Sequence, residues 1–228
     1  MTTSVEIQGR TVHLPVRSRD ADSWSAQFLV PAGAAQTLVA PTGLDVMRVL
    51  PRRALASLAF ARYRDSDLGA YDELALAFLV ALGRRRDAGL YVHRLPTSQP
   101  FVVDAGRTIW SYPRALAAID IAVAGGHAVC AIEQDGAHVL TLEVREGGPL
   151  RLRDPNLPNY TLADGVLRRA AWDQQGTVRA RLGGGRLILG SHPMADELRA
   201  LGLPRRPLMC GTMRGMRATF GAPAEVSP

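Results

Sequence analysis

The 228-residue sequence contains no lysine, so all 27 of its basic residues are arginine. This absence excludes every reaction in which a lysine side-chain amine acts as the nucleophile. So complete a preference for arginine reflects a GC-rich coding bias as much as a function. The net charge of +6 is therefore weak support for a nucleic-acid partner. We expect the densest basic run, Arg84-Arg85-Arg86 after Gly83, to be a solvated turn, and we predict no nucleic-acid partner.

Cysteine is scarce, and long apolar runs are absent. Cys130 and Cys210 each lie in an apolar, strand-like context, which favours buried free thiols over a disulfide. No spacing of cysteine and histidine is typical of a metal site, and we expect neither a metal nor a cofactor. The first residues, MTTSVEIQGR, do not resemble a signal peptide, and no uncharged run approaches the roughly 18 residues of a membrane span. We predict a soluble, cytoplasmic protein.

The pattern along the chain is mostly that of short strands. We predict helices at residues 31–39, at 98–110 with Ser98 as its cap, and at 191–201. Residues 73–82 are nearly all apolar, as in a strand covered on both faces, and short strands include 25–30 and 208–220. About ten strands and three short helices predict a mainly β (α+β) fold in one domain, residues 1–228. Its sheet is expected to be antiparallel and closed or strongly curved.

Two glycine-containing turns can be interpreted directly. Asp135-Gly136 is a strong hairpin signal, and it pairs residues whose numbers sum to 271. His138 would then face Glu133, and His127 would face Val144, which separates the two histidines and argues against a shared metal. The segment RLGGGRL, residues 181–187, lacks the ending of a phosphate-binding loop and predicts a second hairpin turn.

The most informative stretch runs from residue 63 to residue 115. No GxSxG elbow occurs anywhere in the chain, so hydrolase chemistry has no support. Two arginines among aromatic residues near a proline turn suit a small organic anion, because a guanidinium holds a carboxylate through two parallel hydrogen bonds. Each residue alone is also consistent with an ordinary charge at a strand end, and only the combination indicates a site. The candidate residues are Tyr71, Glu73, Arg107, Trp110, Tyr112 and Arg114.

Two motifs in this stretch carry a family resemblance. Residues 68–73, LGAYDE, lead into the apolar strand, and residues 105–113, AGRTIWSYP, follow at the matching distance. In order and separation they resemble the motifs of the acetoacetate decarboxylase-like family, most clearly over residues 40–125. The resemblance implies a cone-like antiparallel β-barrel with a buried central cavity, assembled into homo-oligomers.

The chain departs from the family pattern where that family carries its chemistry. The resemblance implies that two lysines follow the proline, the first forming an imine with the oxo acid and the second lowering its pKa. Arg114 and Ala115 stand at these two positions. Thr108 replaces the usual Glu, and Ser111 replaces the usual Gly. The resemblance therefore predicts the shape of the protein better than its reaction.

Glu73 matches the cavity acid of the family, whereas Ser57 lies where the family has a second acid. Arg114 stays protonated and is a poor nucleophile, so the only amine left is that of the N-terminus. Arg114 remains able to bind a carboxylate or to stabilise an enolate, with Glu73 as an acid or base. We expect a small carboxylate or oxo acid as ligand and non-imine lyase, hydratase or proton-transfer chemistry. The alternative is a catalytically inactive barrel that binds a ligand or assists a biosynthetic enzyme.

Overall fold

The structure, a computed structural model, describes residues 3–83 and 87–227, so the predicted arginine turn at 84–86 lies outside the described residues. Three helices, one 3-10 turn at Ala40–Thr42 and eighteen strands make up the described chain. The helices are α1 (Ala32–Val39), α2 (Pro100–Trp110) and α3 (Pro193–Ala200). The strands are β1 (Thr3–Ile7), β2 (Arg10–Leu14), β3 (Val16–Pro31), β4 (Asp45–Val46), β5 (Arg48–Leu50), β6 (Arg53–Ser66), β7 (Tyr71–Leu82), β8 (Asp87–Thr97), β9 (Arg114–Leu116), β10 (Ala118–Ala124), β11 (His127–Gln134), β12 (Ala137–Arg145), β13 (Leu150–Leu152), β14 (Asn159–Ala163), β15 (Val166–Gln175), β16 (Val178–Leu182), β17 (Gly185–Leu189) and β18 (Met209–Glu225).

Seven strands close into a barrel in the order β18-β15-β14-β8-β7-β6-β3, and β18 pairs with β3 to complete the ring. The mainly β, barrel-like fold with a few short helices is thus confirmed. One pair in the ring differs from the antiparallel prediction, since β14 runs parallel to β8. Between these two strands the chain leaves the barrel to form α2 and a separate sheet, and it then re-enters in the same direction.

The second sheet has the order β10-β11-β12-β17, and together with the barrel wall it encloses the larger hydrophobic core. Alternation along the strands sends one set of side chains to this core and the other set into the barrel. On β7, for example, Leu74 and Leu76 belong to the core, whereas Ala75 and Ala77 face the barrel cavity. The prediction that this strand is covered on both faces is therefore confirmed.

The two cysteines lie in the same core, on β11 and β18. Both Cys130 and Cys210 are buried and free, as predicted. Burial raises the pKa of each thiol, that of Cys210 to about 12, so the thiols stay protonated and unreactive at neutral pH.

The helix predicted at 98–110 exists as α2, but Ser98 does not cap it. The residue before the helix is Gln99, and the Ser98 hydroxyl instead accepts a hydrogen bond from the backbone N–H of Asp72 at 2.8 Å. The helix ends at Ser111, which adopts a left-handed conformation with φ of 57° and accepts a hydrogen bond from Arg168. A left-handed conformation at the end of a helix favours glycine, and serine tolerates it less well.

The Asp135-Gly136 hairpin is confirmed, but its register is only partly as predicted. Glu133 lies opposite His138, and a β-bulge then shifts the pairing so that His127 lies opposite Arg145 rather than Val144. The prediction failed because a bulge inserts one residue on one strand and changes every later pair.

The glycine-rich segment at 181–187 was predicted to be a hairpin turn, and that prediction is wrong. It connects β16, which belongs to the barrel sheet, to β17, which belongs to the second sheet. Gly183 and Gly184 both have positive φ, so the chain does turn here, but the two strands diverge after the turn. The physical reason is that each flanking strand finds its partners elsewhere in the chain.

Candidate active site

A cavity of about 420 Å³ lies inside the barrel. Small side chains on three neighbouring strands create it, because serine and alanine leave space where larger residues would fill a narrow barrel. They include Ser25 on β3, Ser57 and Ala59 on β6, and Ala75 and Ala77 on β7. The small residues thus make room for a ligand-sized volume, and Ser57 lies on its wall.

Glu73 and Arg114 meet as a buried ion pair on the wall of this cavity. Arg114 Nη2 lies 2.9 Å from Glu73 Oε2, and the two side chains are only 2% and 9% exposed. Strand β9 pairs with β8, and β8 pairs with β7, which brings the two residues together across 41 residues of sequence. The guanidinium also donates through Nη1 to the Thr97 hydroxyl at 3.1 Å.

The contact between Arg114 and Glu73 is an ion pair by distance but is not aligned as a hydrogen bond. Glu73 Oε2 consequently has no aligned donor among the described residues, whereas Oε1 accepts a hydrogen bond from the Tyr63 hydroxyl at 3.1 Å. A buried carboxylate oxygen without an aligned donor keeps an acceptor site for a proton.

Aromatic rings surround the guanidinium. The Arg114 carbon Cζ lies 5.5 Å from the centre of the Tyr71 ring and 5.6 Å from that of Tyr112. Tyr71 stacks on Tyr63 with ring centres 4.4 Å apart. Such cation–π contacts stabilise a desolvated cation, by roughly 2 kcal/mol or more in the most favourable buried cases.

Burial and charge have opposite effects on the pKa of Arg114, whereas burial and the Glu73 charge act in the same direction on the pKa of Tyr63. Burial lowers the pKa of Arg114, but Glu73 and the neighbouring tyrosines outweigh it and raise the pKa above its usual value. The guanidinium therefore remains a cation. Burial and the nearby Glu73 carboxylate raise the pKa of Tyr63 well above its ordinary range, and burial raises that of Tyr112 to about 12. Both phenols stay protonated at neutral pH and act as hydrogen-bonding groups.

Gly106 on α2 leaves the space that the Arg114 side chain occupies. A Cβ atom at Gly106 would lie 2.3 Å from both Cδ and Nε of Arg114, which is far inside contact distance. The bare backbone of α2 therefore packs directly against the arginine side chain. The glycine before Arg107 in the sequence motif thus has a local steric role.

The structure brings only part of the sequence-predicted set to the cavity. Glu73, Tyr112 and Arg114 line the cavity, and the Tyr71 ring lies beside the Arg114 guanidinium. Arg107 is exposed and donates to the backbone carbonyl of Arg114 at 2.8 Å, so its charge points away from the barrel.

Trp110 is also away from the cavity. It is buried in the smaller hydrophobic core, where its indole N–H donates to the carbonyl of Gly221. Arg107 and Trp110 both lie on α2, and no residue of this helix lines the cavity, so closeness in sequence to Arg114 did not indicate a place in the site.

Three further residues of the site were missed from the sequence. Tyr63 lies opposite Tyr71 in the β6–β7 hairpin, and the register of that hairpin would have indicated it. Thr97 supports Arg114, and Asn159 donates to the Tyr112 hydroxyl at 2.9 Å. No sequence signal marks the last two, because they reach the site through long-range strand pairing.

Within residues 3–83 and 87–227, no group of three or more histidine, cysteine or acidic side chains is arranged to hold a metal ion. None of the helices in this part of the chain is long and apolar enough to cross a membrane.

A model of the family described as acetoacetate decarboxylase (ADC) matches residues 6–222. The chain belongs to this family. No curated protein sequence matches it. Among solved structures, it resembles acetoacetate decarboxylase from Legionella pneumophila subsp. pneumophila str. Philadelphia 1, with a TM-score of 0.76, 16% identity, and coverage of 93% of this chain and 87% of that one.

Two other solved structures have the same fold. The enduracididine biosynthesis enzyme MppR, complexed with pyruvate, has a TM-score of 0.70 at 15% identity and covers 93% of this chain and 90% of its own. An acetoacetate decarboxylase-like enzyme from Sphingomonas wittichii RW1 has a TM-score of 0.68 at 16% identity, with 98% of each chain covered. At these identities the likeness shows the fold of this family member and not its reaction.

Proposed function

We propose that this member of the acetoacetate decarboxylase family binds a small carboxylate or oxo acid beside Arg114 and Glu73 and catalyses an acid/base reaction without an imine. The observation that carries the proposal is the buried Glu73–Arg114 pair on the cavity wall, in a chain that has no lysine. The guanidinium occupies the position that the family pattern gives to an amine nucleophile.

Arg114 retains donors for a ligand. A guanidinium has five N–H groups, and here one nitrogen faces Glu73 while another donates to Thr97. Each terminal nitrogen therefore keeps one further N–H, and together they suit the two oxygens of a carboxylate. A fold relative, MppR, is described as complexed with pyruvate, which supports an oxo acid as the ligand class.

Glu73 is the group that would move a proton. With a 2-oxo acid held by Arg114, the carboxylate removes a proton from the carbon next to the carbonyl, and the C–H electrons pass to the carbonyl oxygen. The resulting enolate is stabilised by the arginine cation. Return of the proton to carbon gives exchange. If the oxo acid carries a hydroxyl on C4, the proton can pass to that hydroxyl instead; the enolate electrons then re-form the carbonyl and the C3=C4 double bond, the C4–O bond breaks, and loss of water gives an unsaturated oxo acid.

The alternative function is a barrel that binds a ligand without turnover. One observation favours it: Arg114 and Glu73 already neutralise each other, and Tyr63 holds the second carboxylate oxygen. An ion pair fixed in this way has a structural role even if no proton is transferred.

Proton exchange separates the two. Purified protein is incubated with 2-oxobutyrate in D₂O, and loss of the C3 proton signal is followed by NMR. The proposal expects exchange that Glu73→Gln abolishes while binding of 2-oxobutyrate persists. Glu143→Gln, the same change at a partly exposed residue on β12, serves as the matched control and should exchange like the unaltered protein. Binding without exchange in the unaltered protein would favour the non-catalytic alternative.

The absence of imine chemistry has its own test. Borohydride reduction in the presence of acetoacetate should leave the mass of the intact protein unchanged. A reduced adduct on the N-terminal amine would contradict the non-imine mechanism.

We further propose that the chain folds as one domain and assembles into a cytoplasmic homo-oligomer. Light scattering of the purified protein measures the number of subunits.

A further inference from the structure

The cavity is large for the smallest oxo acids. At about 30 Å³ per water molecule in the liquid, a volume of 420 Å³ corresponds to about 14 waters. Pyruvate and acetoacetate have far fewer non-hydrogen atoms than this, so either acid beside Arg114 would leave most of the cavity to solvent. Ligand sites of several hundred Å³ in proteins more often enclose larger molecules.

The cavity is also elongated. Its wall on β7 is formed by Glu73, Ala75, Ala77 and Leu79, which are successive inward positions of one strand. At about 3.3–3.4 Å per residue, these six steps along the strand span roughly 20 Å. The ion pair therefore lies toward one end of a slot, and Leu79 lies toward the other.

One wall of the slot, formed by β7 and β8, is apolar along its length beyond Glu73. On β8, Leu90 and Val92 continue the apolar wall, and both pair with inward positions of β7. Away from the ion pair, the polar side chains lie on the other walls, on β3, β6, β14, β15 and β18 and at Asp154. On the β3 side the Gln27 amide donates to the Ser57 hydroxyl at 3.0 Å. Since those two groups partly satisfy each other, the β7–β8 side offers the surface against which an apolar chain packs.

We propose that the ligand is an oxo acid with an elongated apolar body, whose acid end lies at Arg114 and whose chain runs along the slot toward Leu79. This inference rests on the proposed function for the position of the acid end. The length of the body is argued separately from the row of alanines on β7 and the apolar residues of β8. A ligand of this kind fills the volume that a short oxo acid leaves empty.

Burial of the chain predicts how affinity depends on length. Each methylene transferred from water to the apolar wall strengthens binding by up to about fourfold. We measure the dissociation constants of pyruvate, 2-oxobutyrate, 2-oxohexanoate and 2-oxooctanoate by calorimetry, all with the same head group. The expected result is a progressive rise, with 2-oxooctanoate binding at least about tenfold more tightly than 2-oxobutyrate.

The outcomes distinguish this inference from the function on which it rests. If the short acids bind and affinity stays flat or falls with length, the elongated ligand is wrong while the oxo-acid site stands. If no acid of the series binds, both ideas fail. An equal loss of affinity at every chain length in Arg114→Met would support placement of the head group at the guanidinium. A loss confined to the longer acids would contradict that placement.

A substitution halfway along the slot tests its direction. Ala77→Leu adds bulk four residues from Glu73, and it should weaken 2-oxooctanoate by about tenfold or more while leaving pyruvate within about twofold. Ala118→Leu, the same change at an exposed site on the second sheet, is the control. Ala77→Val adds less bulk and gives a graded effect if the leucine variant is unstable. Equal weakening of both acids would overturn the proposal.

Discussion

The Glu73–Arg114 pair allows a quantitative prediction for stability. At 2.9 Å and an effective dielectric constant of about 20, two unit charges attract by about 6 kcal/mol. Removing two ions from water costs several kcal/mol for each, so the net contribution of the pair is small. Loss of one partner is different, because it leaves a buried charge without compensation, and such losses cost about 3–5 kcal/mol.

We therefore expect Glu73→Gln and Arg114→Met each to lower the free energy of unfolding by about 3–5 kcal/mol. For a chain of this length, where about 1 kcal/mol corresponds to roughly 2–4 °C, the melting temperature should fall by roughly 6–20 °C. The double variant carries no buried charge at this site, and methionine occupies a volume similar to that of the arginine stem. Its stability should return to within about 1–2 kcal/mol of the unaltered protein.

Denaturant unfolding of the four proteins measures this cycle. Strongly non-additive changes confirm that the two charges depend on each other. Additive changes would refute the reasoning, because they would mean that each side chain acts through separate contacts. Calorimetry on the same proteins adds a functional readout: the double variant should be stable and still fail to bind 2-oxobutyrate, which a purely structural pair does not predict.

Two further predictions follow from single contacts. Gly106→Ala places a methyl group against the Arg114 side chain and should weaken 2-oxobutyrate binding, measured by calorimetry, because the guanidinium must move; unchanged affinity would contradict the packing argument. Burial opposes ionisation of Glu197, but His93 and Arg94 outweigh it and lower its pKa from 4.5 to about 2. The contribution of this carboxylate is therefore complete above about pH 4.5 and is lost as the pH falls toward 2. The stability difference between the protein and Glu197→Gln, followed by urea unfolding, should shrink over that range, and a constant difference would be inconsistent with the ion pair.

Local patterns predicted several elements because their causes are local. The apolar run of β7, the Asp135-Gly136 turn and the helix near Pro100 each depend on residues within a few positions of one another. The same reasoning recovered only the second half of β3, which extends over Val16–Pro31. Its first half is polar, and one of its acids, Asp22, is buried beside Arg64 and Arg214 from distant parts of the chain. Long-range ion pairs of this kind leave no local signal.

In the candidate site, too, the sequence indicated what is local and did not indicate what depends on long-range strand pairing. The motif around residues 105–114 contains two arginines seven positions apart, and sequence reasoning assigned both to the ligand. Arg114 lies on the cavity wall with Glu73, while Arg107 donates to a backbone carbonyl on the outside. The difference arises because one arginine is on an exposed turn of α2 and the other is on β9, which pairs with β8 at the barrel wall.

The sequence by itself determined which chemistry is absent. Without lysine, no side chain of this protein supplies the imine-forming amine, and no arrangement of the fold changes that. Only the tertiary structure decided the surroundings of Arg114, because strand pairing brings its guanidinium within 2.9 Å of the Glu73 carboxylate and burial holds the two as an ion pair. It also decided the size of the cavity, since the small residues that create it become neighbours only when the barrel closes.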